Sequence, residues 1–175
     1  IASHAVQSNW SFYTMYKFNW TAEIVGYSLA VVGVLVAFVQ GFLIRKIIPR
    51  LGQVKSIYLG MSFSALGLLL FGLASESWMM FAFLIPYCLG GIAGPSIQGV
   101  ISSQVPANEQ GELQGALTSL MSLCGVFGPL LMTNLFAFAT AKNSTFHVPG
   151  APFFLASCLT LVSFYLSYRT LSKKH

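Results

Sequence analysis

Charge is what this chain most lacks. Only 7% of its 175 residues are Asp, Glu, Lys or Arg, where a water-soluble domain carries about 25%. So few charges cannot cover a surface that faces water, so a soluble globular protein is excluded and the lipid bilayer is the expected surrounding. The nine cations are dispersed, not gathered into the stripe or patch of a nucleic-acid footprint, and nucleic acid is not an expected partner. Cysteine is scarce as well. Cys88, Cys124 and Cys158 are odd in number and lie inside apolar runs, which suits neither a disulfide framework nor a metal site. No metal and no other cofactor is expected. His-Glu-x-x-His and Gly-x-Ser-x-Gly are both absent, and Leu51-Gly52-Gln53-Val54-Lys55-Ser56 is no phosphate-binding loop, so nothing argues for an enzyme. The opening IASHAVQSNWSFYTMY has no cationic segment followed by a short apolar core, so it is not expected to be a signal peptide. It reads as a helix entered partway, and the chain is expected to be a piece of something longer.

What is present is apolar sequence in long runs. A membrane-spanning helix needs roughly 20 mostly apolar residues, at about 1.5 Å rise each. Uncharged runs occupy residues 24–44, 56–75, 78–105, 113–140 and 152–168, and residues 1–16 form a more polar, truncated first span. The expected fold is an all-α integral membrane bundle of six helices filling residues 1–175. Arg45, Lys46, Arg50 and Lys55 fall between the second and third runs, and Arg169, Lys173 and Lys174 fall in the tail. With six spans these share one side, which also holds the link around Glu109. Only Lys17 and Lys142 lie opposite, so the positive-inside rule puts the carboxyl terminus in the cytoplasm. Trp20, Trp78 and Phe146 sit near the outer ends of spans, where an aromatic belt is expected. The sequons Asn19-Trp20-Thr21 and Asn143-Ser144-Thr145 would accept glycans only in a eukaryotic secretory membrane.

Small residues recur at helical spacing. Gly33, Ala37 and Gly41 share one face, as do Gly90 and Gly94, and such faces let helix backbones approach closely or slide. Pro86 and Pro95 in the fourth span and Pro129 in the fifth each remove a backbone hydrogen bond and favour a kink. A Gly/Pro-broken helix at membrane depth points to a transport pathway, and Gly94 and Pro95 are its centre here. The five complete spans hold no ionisable side chain other than cysteine and tyrosine, so no proton-relay carboxylate is evident. The polar candidates for a substrate cavity are Gln7, Asn9, Tyr13, Gln40, Gln98 and Asn134. An amide can donate and accept, which suits an uncharged or zwitterionic molecule, although the commoner role of each such residue is an interhelical hydrogen bond. Gln98, which follows the kinked segment, leads. His4 in the partial span is a further candidate for a proton, whereas His147 and His175 suggest no role.

Residues 106–112, Pro-Ala-Asn-Glu-Gln-Gly-Glu, form the short link between the fourth and fifth helices. Asn108 is the expected N-cap of the fifth, with acids in its first turn. The stretch GPSIQGVISSQVPANEQGELQGALTSLMSLCGVFGPLL resembles the tenth and eleventh helices of tetracycline-resistance-type efflux proteins of the major facilitator superfamily, through its Pro-x-x-Gln-Gly, its Gln-Gly-x-x-Gln-Gly and its Gly-Pro-Leu-Leu. FNWTAEIVGYSLAVVGVLVAFVQGFL resembles the seventh-to-eighth helix passage of the same family. The resemblance covers essentially the whole chain as the C-terminal six-helix half of a twelve-helix transporter.

It implies proton-coupled efflux of a small amphiphilic drug by two rocking bundles in a bacterial inner membrane, with the N-terminal half as partner. It implies Gln40 and Gln98 as cavity residues and Gly111, Gln114 and Gly115 as an inner gate. Val36 and Ser64 stand where drug–proton members often carry histidine and aspartate, and the RKIIPRLGQVK loop resembles a weakened basic motif. Any coupling carboxylates are therefore expected in the N-terminal half. The alternative from another class is a stand-alone six-helix channel subunit or receptor acting as an oligomer.

Overall fold

A computed structural model describes residues 2–141 and 148–171. The expectations placed on Lys142, the sequon at Asn143, Phe146, His147, Lys173, Lys174 and His175 lie outside the described residues. Among the described residues the chain forms six successive helices and no strand: α1 (Ala2–Phe18), α2 (Ala22–Leu51), α3 (Gln53–Leu73), α4 (Ser77–Ser102), α5 (Gln110–Thr140) and α6 (Ala151–Leu171). All but the 17-residue α1 belong to segments long and apolar enough to cross a membrane. A bilayer core offers backbone groups no water, so a continuous helix is the form such runs must take.

The helix ends follow from local chemistry. Thr21 caps α2 by accepting from the Ile24 amide at 3.4 Å. All four acids sit at helix starts: Glu23 in the first turn of α2, Glu76 just before α4, and Glu109 and Glu112 at the start of α5. There they complement the positive end of the helix dipole. The second span does not end at residue 44 as expected. It continues through Pro49 to Leu51, so Arg45, Lys46 and Arg50 are helical and the supposed loop is a single-residue corner. Gly52 makes that corner at φ 80°, ψ 164°, a region open essentially to glycine alone. Its amide donates to the Ile48 carbonyl, and its carbonyl accepts from the Ser56 hydroxyl at 2.7 Å.

The expected cap at Asn108 is also corrected. Asn108 lies inside a 3-10 turn, Ala107–Glu109, which is closed by the Glu109 amide bonding to the Pro106 carbonyl at 3.0 Å. Gln110 fastens the link instead. Its side-chain amide donates to the carbonyls of Ser102 (2.7 Å), at the end of α4, and of Val105 (2.8 Å), in the link itself.

Two further irregularities lie within helices. α2 contains a π-turn at Val39–Leu43, and α4 contains a 3-10 turn at Gly90–Ile92 between Pro86 and Pro95. The two turns pack against each other.

α3 organises the bundle. It packs most extensively on α6 and α4, α1 lies on α5 and α6, and α2 leans mainly on α4. Glycines on α3 allow the closest approach. A Cβ added at Gly60 would lie 2.5 Å from the Ala93 amide nitrogen, and one at Gly67 would lie 2.7 Å from the Tyr87 backbone. Between them, a Cβ at Gly90 of α4 would lie 2.7 Å from the Ser64 Cβ. The three pairs run in antiparallel register along one seam. Gly33 and Gly41 meet nothing within 4 Å, so the α2 glycine stripe is not a packing seam of this bundle.

Aromatic residues fill the end of the bundle remote from Gly52. Trp10 stands edge-on to Phe71 at 5.1 Å, and Tyr13 edge-on to Phe153 at 4.8 Å. Trp20 belongs to this core, not to an exposed belt. It is buried, and its indole donates to the Ser77 hydroxyl, a partner that a ring facing lipid would lack. Trp78 is exposed, as a belt residue would be.

Candidate functional site

The uncovered polar groups converge on one line of α4. Gly91, Gly94, Pro95 and Gln98 are all exposed. Their spacing of three, four and seven residues places them on one helical face. Pro95 has no amide hydrogen to give the Gly91 carbonyl, and neither Gly91 nor Gly94 has a side chain, so backbone is bare along the line. The Gly94 position has nothing within 4 Å. The opposite side of the same segment is closed: Ser96 is buried and its hydroxyl returns to the Ile92 carbonyl at 2.8 Å.

The line ends in an interhelical amide pair. The Gln98 side chain donates from Nε2 to Oε1 of Gln114 on α5 at 2.8 Å. The structure thus joins one expected cavity residue to one expected gate residue. Gly111 and Gly115 flank Gln114 on α5, and a Cβ at either would meet nothing within 4 Å. Gln40 is exposed on the π-turn of α2, the element that abuts the 3-10 turn of α4. A π-turn inserts one residue into the helical register and is frequent at functional sites. It turns Gln40 and Gly41 outward while Val39 stays buried.

The remaining expected residues lie elsewhere. Asn134 is exposed on α5, and its amide donates back to its own helix at the Leu130 carbonyl, 2.8 Å away. Pro129 sits inside α5, half-buried, beside the contact of Gly128 with the His4 ring. Gln7 is exposed on α1. Asn9 and Tyr13 are fully buried in the bundle's own core. The Tyr13 hydroxyl donates to the Phe71 carbonyl at 2.8 Å and accepts from the Lys17 ammonium at 3.0 Å, tying α1 to α3. Neither Asn9 Nδ2 nor Oδ1 has a partner among the described residues. Tyr13→Phe is therefore expected to lower stability by about 1 kcal/mol, the net worth of one buried hydrogen bond, read as a fall in the melting temperature of the purified protein. An unchanged melting temperature would mean that the bond contributes nothing.

Among the described residues no group of His, Cys, Asp and Glu is arranged to hold a metal, and the three cysteines are free. Sequence reasoning missed Gln110 and Gly91. Gln110 carried a signal in its place between two other Gln-Gly pairs, and Gly91 in lying four residues before Pro95.

The chain resembles known proteins throughout its length. The sequence profile of the Major Facilitator Superfamily matches residues 3–175. The chain is 38% identical over 151 residues to the class C tetracycline resistance protein of Escherichia coli, covering 86% of this chain and 38% of that protein. It is 36% identical over 154 residues to the class G tetracycline resistance protein of Vibrio anguillarum, covering 87% and 39%. It is also 28% identical over 158 residues to the hippocampus abundant transcript-like protein 1 of Mus musculus, covering 82% and 31%. The chain thus spans about a third to two fifths of the length of the tetracycline resistance proteins it matches. No solved structure matches it significantly.

Proposed function

The chain belongs to the major facilitator superfamily, and on that premise we propose that it is the C-terminal half of a secondary transporter that exports tetracycline-like or other amphiphilic drugs from a bacterial cell in exchange for protons. The N-terminal half of the same polypeptide packs against the side that carries the α4 line, the Gln114 turn of α5 and the π-turn of α2. Substrate crosses between the two bundles as they rock about a site near the bilayer midplane. The end that carries Arg45, Lys46, Arg50, Lys55 and Arg169 is cytoplasmic, by the excess of cations there.

The observation that carries this reading is the exposed line Gly91, Gly94, Pro95 and Gln98, closed by the Gln98–Gln114 amide pair. Bare backbone and amides at membrane depth are tolerated against protein or a water-filled cavity, not against lipid. Amides and carbonyls along this line both donate to and accept from an uncharged or zwitterionic ligand. The four acids all cluster at helix starts, so proton coupling is assigned to carboxylates of the N-terminal half.

The test is to express the full-length transporter in an efflux-deficient bacterial strain and follow tetracycline accumulation. Lowered accumulation that returns to the control level when the proton gradient is dissipated is the expected result. Unchanged accumulation of tetracycline and of a panel of amphiphilic drugs would overturn the export assignment. Efflux that survives dissipation would overturn proton coupling.

A further inference from the structure

A different side of the basic end carries two linked clefts that the α4 line does not use. One, of about 510 Å3, lies between the start of α3 and the end of α6 and is walled by Leu51, Val54, Lys55, Tyr58, Tyr168 and Leu171. Leu171 also borders a second cleft of about 370 Å3, whose walls include Ile57, Ile97, Val100, Ile101 and Leu166. Both volumes are within the range of ligand-sized clefts, about 300–1,000 Å3. Both are mostly apolar, with their polar atoms in the minority.

One cation lines the first cleft, and two more are chain neighbours of its wall residues. Lys55 stands in its wall, Arg50 immediately precedes Leu51, and Arg169 immediately follows Tyr168. Lys55, Arg50 and Arg169 are exposed. The elements that build the cleft bring no acid of their own: α3 and α6 have none, and Glu23 is at the far end of α2. Lys46 is placed differently, with its ammonium 4.3 Å above the ring of Phe42. The pattern is a cationic mouth above apolar walls, on a helix flank at the membrane surface.

We propose that these clefts form a binding site for one anionic phospholipid, with the phosphate held at Lys55 and Arg50 and an acyl chain lying along the apolar walls. A soluble anion would neutralise the cations but leave the walls wet. An apolar helix would cover the walls but leave the cations without a counter-charge. A phospholipid satisfies both, and basic pockets between transmembrane helices are recognised sites for such headgroups. The inference rests on residence in a membrane and not on the drug or the proton assigned above.

The full-length transporter in detergent, titrated with phosphatidylglycerol or phosphatidylcholine and observed by native mass spectrometry, tests it. Wild type is expected to retain one phosphatidylglycerol at concentrations where phosphatidylcholine is lost. Lys55→Gln with Arg50→Gln is expected to weaken phosphatidylglycerol retention at least fivefold, and Lys55→Arg with Arg50→Lys to restore it. These exposed side chains can be replaced without opening the core, so a folded variant is expected, checked by its melting temperature. Equal retention of the two lipids, or retention unaffected by the double substitution, would overturn the proposal. Displacement of phosphatidylglycerol by equimolar inorganic phosphate would overturn it in favour of a free-anion site.

Discussion

Gln98→Ala in the full-length transporter is expected to cut drug efflux at least tenfold without changing the amount of protein in the membrane. The size of that effect separates two roles for the side chain. Interhelical side-chain hydrogen bonds in membranes average about 0.6 kcal/mol. Since each tenfold in rate corresponds to about 1.4 kcal/mol, loss of the 2.8 Å bond to Gln114 alone accounts for roughly threefold. A larger loss requires Gln98 to contact the drug as well as its neighbour. Gln114→Ala, which removes the partner but leaves Gln98 in place, is accordingly expected to cost only about threefold. The double variant should then resemble Gln98→Ala, because the bond is already gone. Efflux measured in inverted membrane vesicles, normalised to transporter abundance, decides the matter. Equal losses at the two positions would reduce Gln98 to a structural tie, and undiminished efflux in Gln98→Ala would remove it from the site altogether.

The second large effect is expected in assembly. Gly67→Leu should lower the melting temperature of the detergent-solubilised protein by many degrees and deplete the folded fraction. A Cβ at this position already lies 2.7 Å from the Tyr87 backbone, and backbone cannot rotate away as a side chain can. Overpacking a core costs typically 1–3 kcal/mol, and a clash with main chain sits at or above the top of that range. Gly60→Val, facing the Ala93 amide nitrogen at 2.5 Å, should behave alike. The control is Gly33→Ala, where nothing in this bundle lies within 4 Å, and melting temperature should move by no more than a degree or two. A Gly67→Leu protein as stable as wild type would show that the α3–α4 seam is looser than its geometry.

These glycines also show where reading the sequence reaches its limit. The apolar runs alone led to the helices, because in a bilayer length and hydrophobicity almost determine where a helix forms. The partners of each face were harder. Gly33, Ala37 and Gly41 have the four-residue spacing of a packing stripe, yet that stripe is unpartnered in this bundle, while Gly60 and Gly67, seven apart, touch another helix's backbone. Spacing says that small residues share a face and nothing about what that face meets.

The π-turn at Val39–Leu43 was illegible for a related reason. It adds one residue to a run that is apolar but for Gln40 and small residues, and a single amide does not signal a change of helical winding. Asn9 and Tyr13 are cavity candidates by sequence because polar groups in a span are expensive wherever they point, and the structure sets both in the bundle's own core. The core position of Tyr13 follows from a backbone carbonyl, that of Phe71, which is 58 residues away in sequence. By contrast, the Gln98–Gln114 pairing could be anticipated from repeated Gln-Gly steps on both sides of a short link.

The seam between α3 and α4 has a mechanical consequence. Its three contacts, at Tyr87, Gly90 and Ala93, bracket the one place where α4 departs from α-helical winding, Gly90–Ile92. A helix broken between two prolines is ordinarily the flexible joint of a transporter. Here the joint is splinted along its length by a neighbouring straight helix pressed against its main chain. Bending stiffness at that point is that of two rods and not of one weakened rod. Under the proposed alternating access, displacement of Gln98 would then come from the α3–α4 pair turning together.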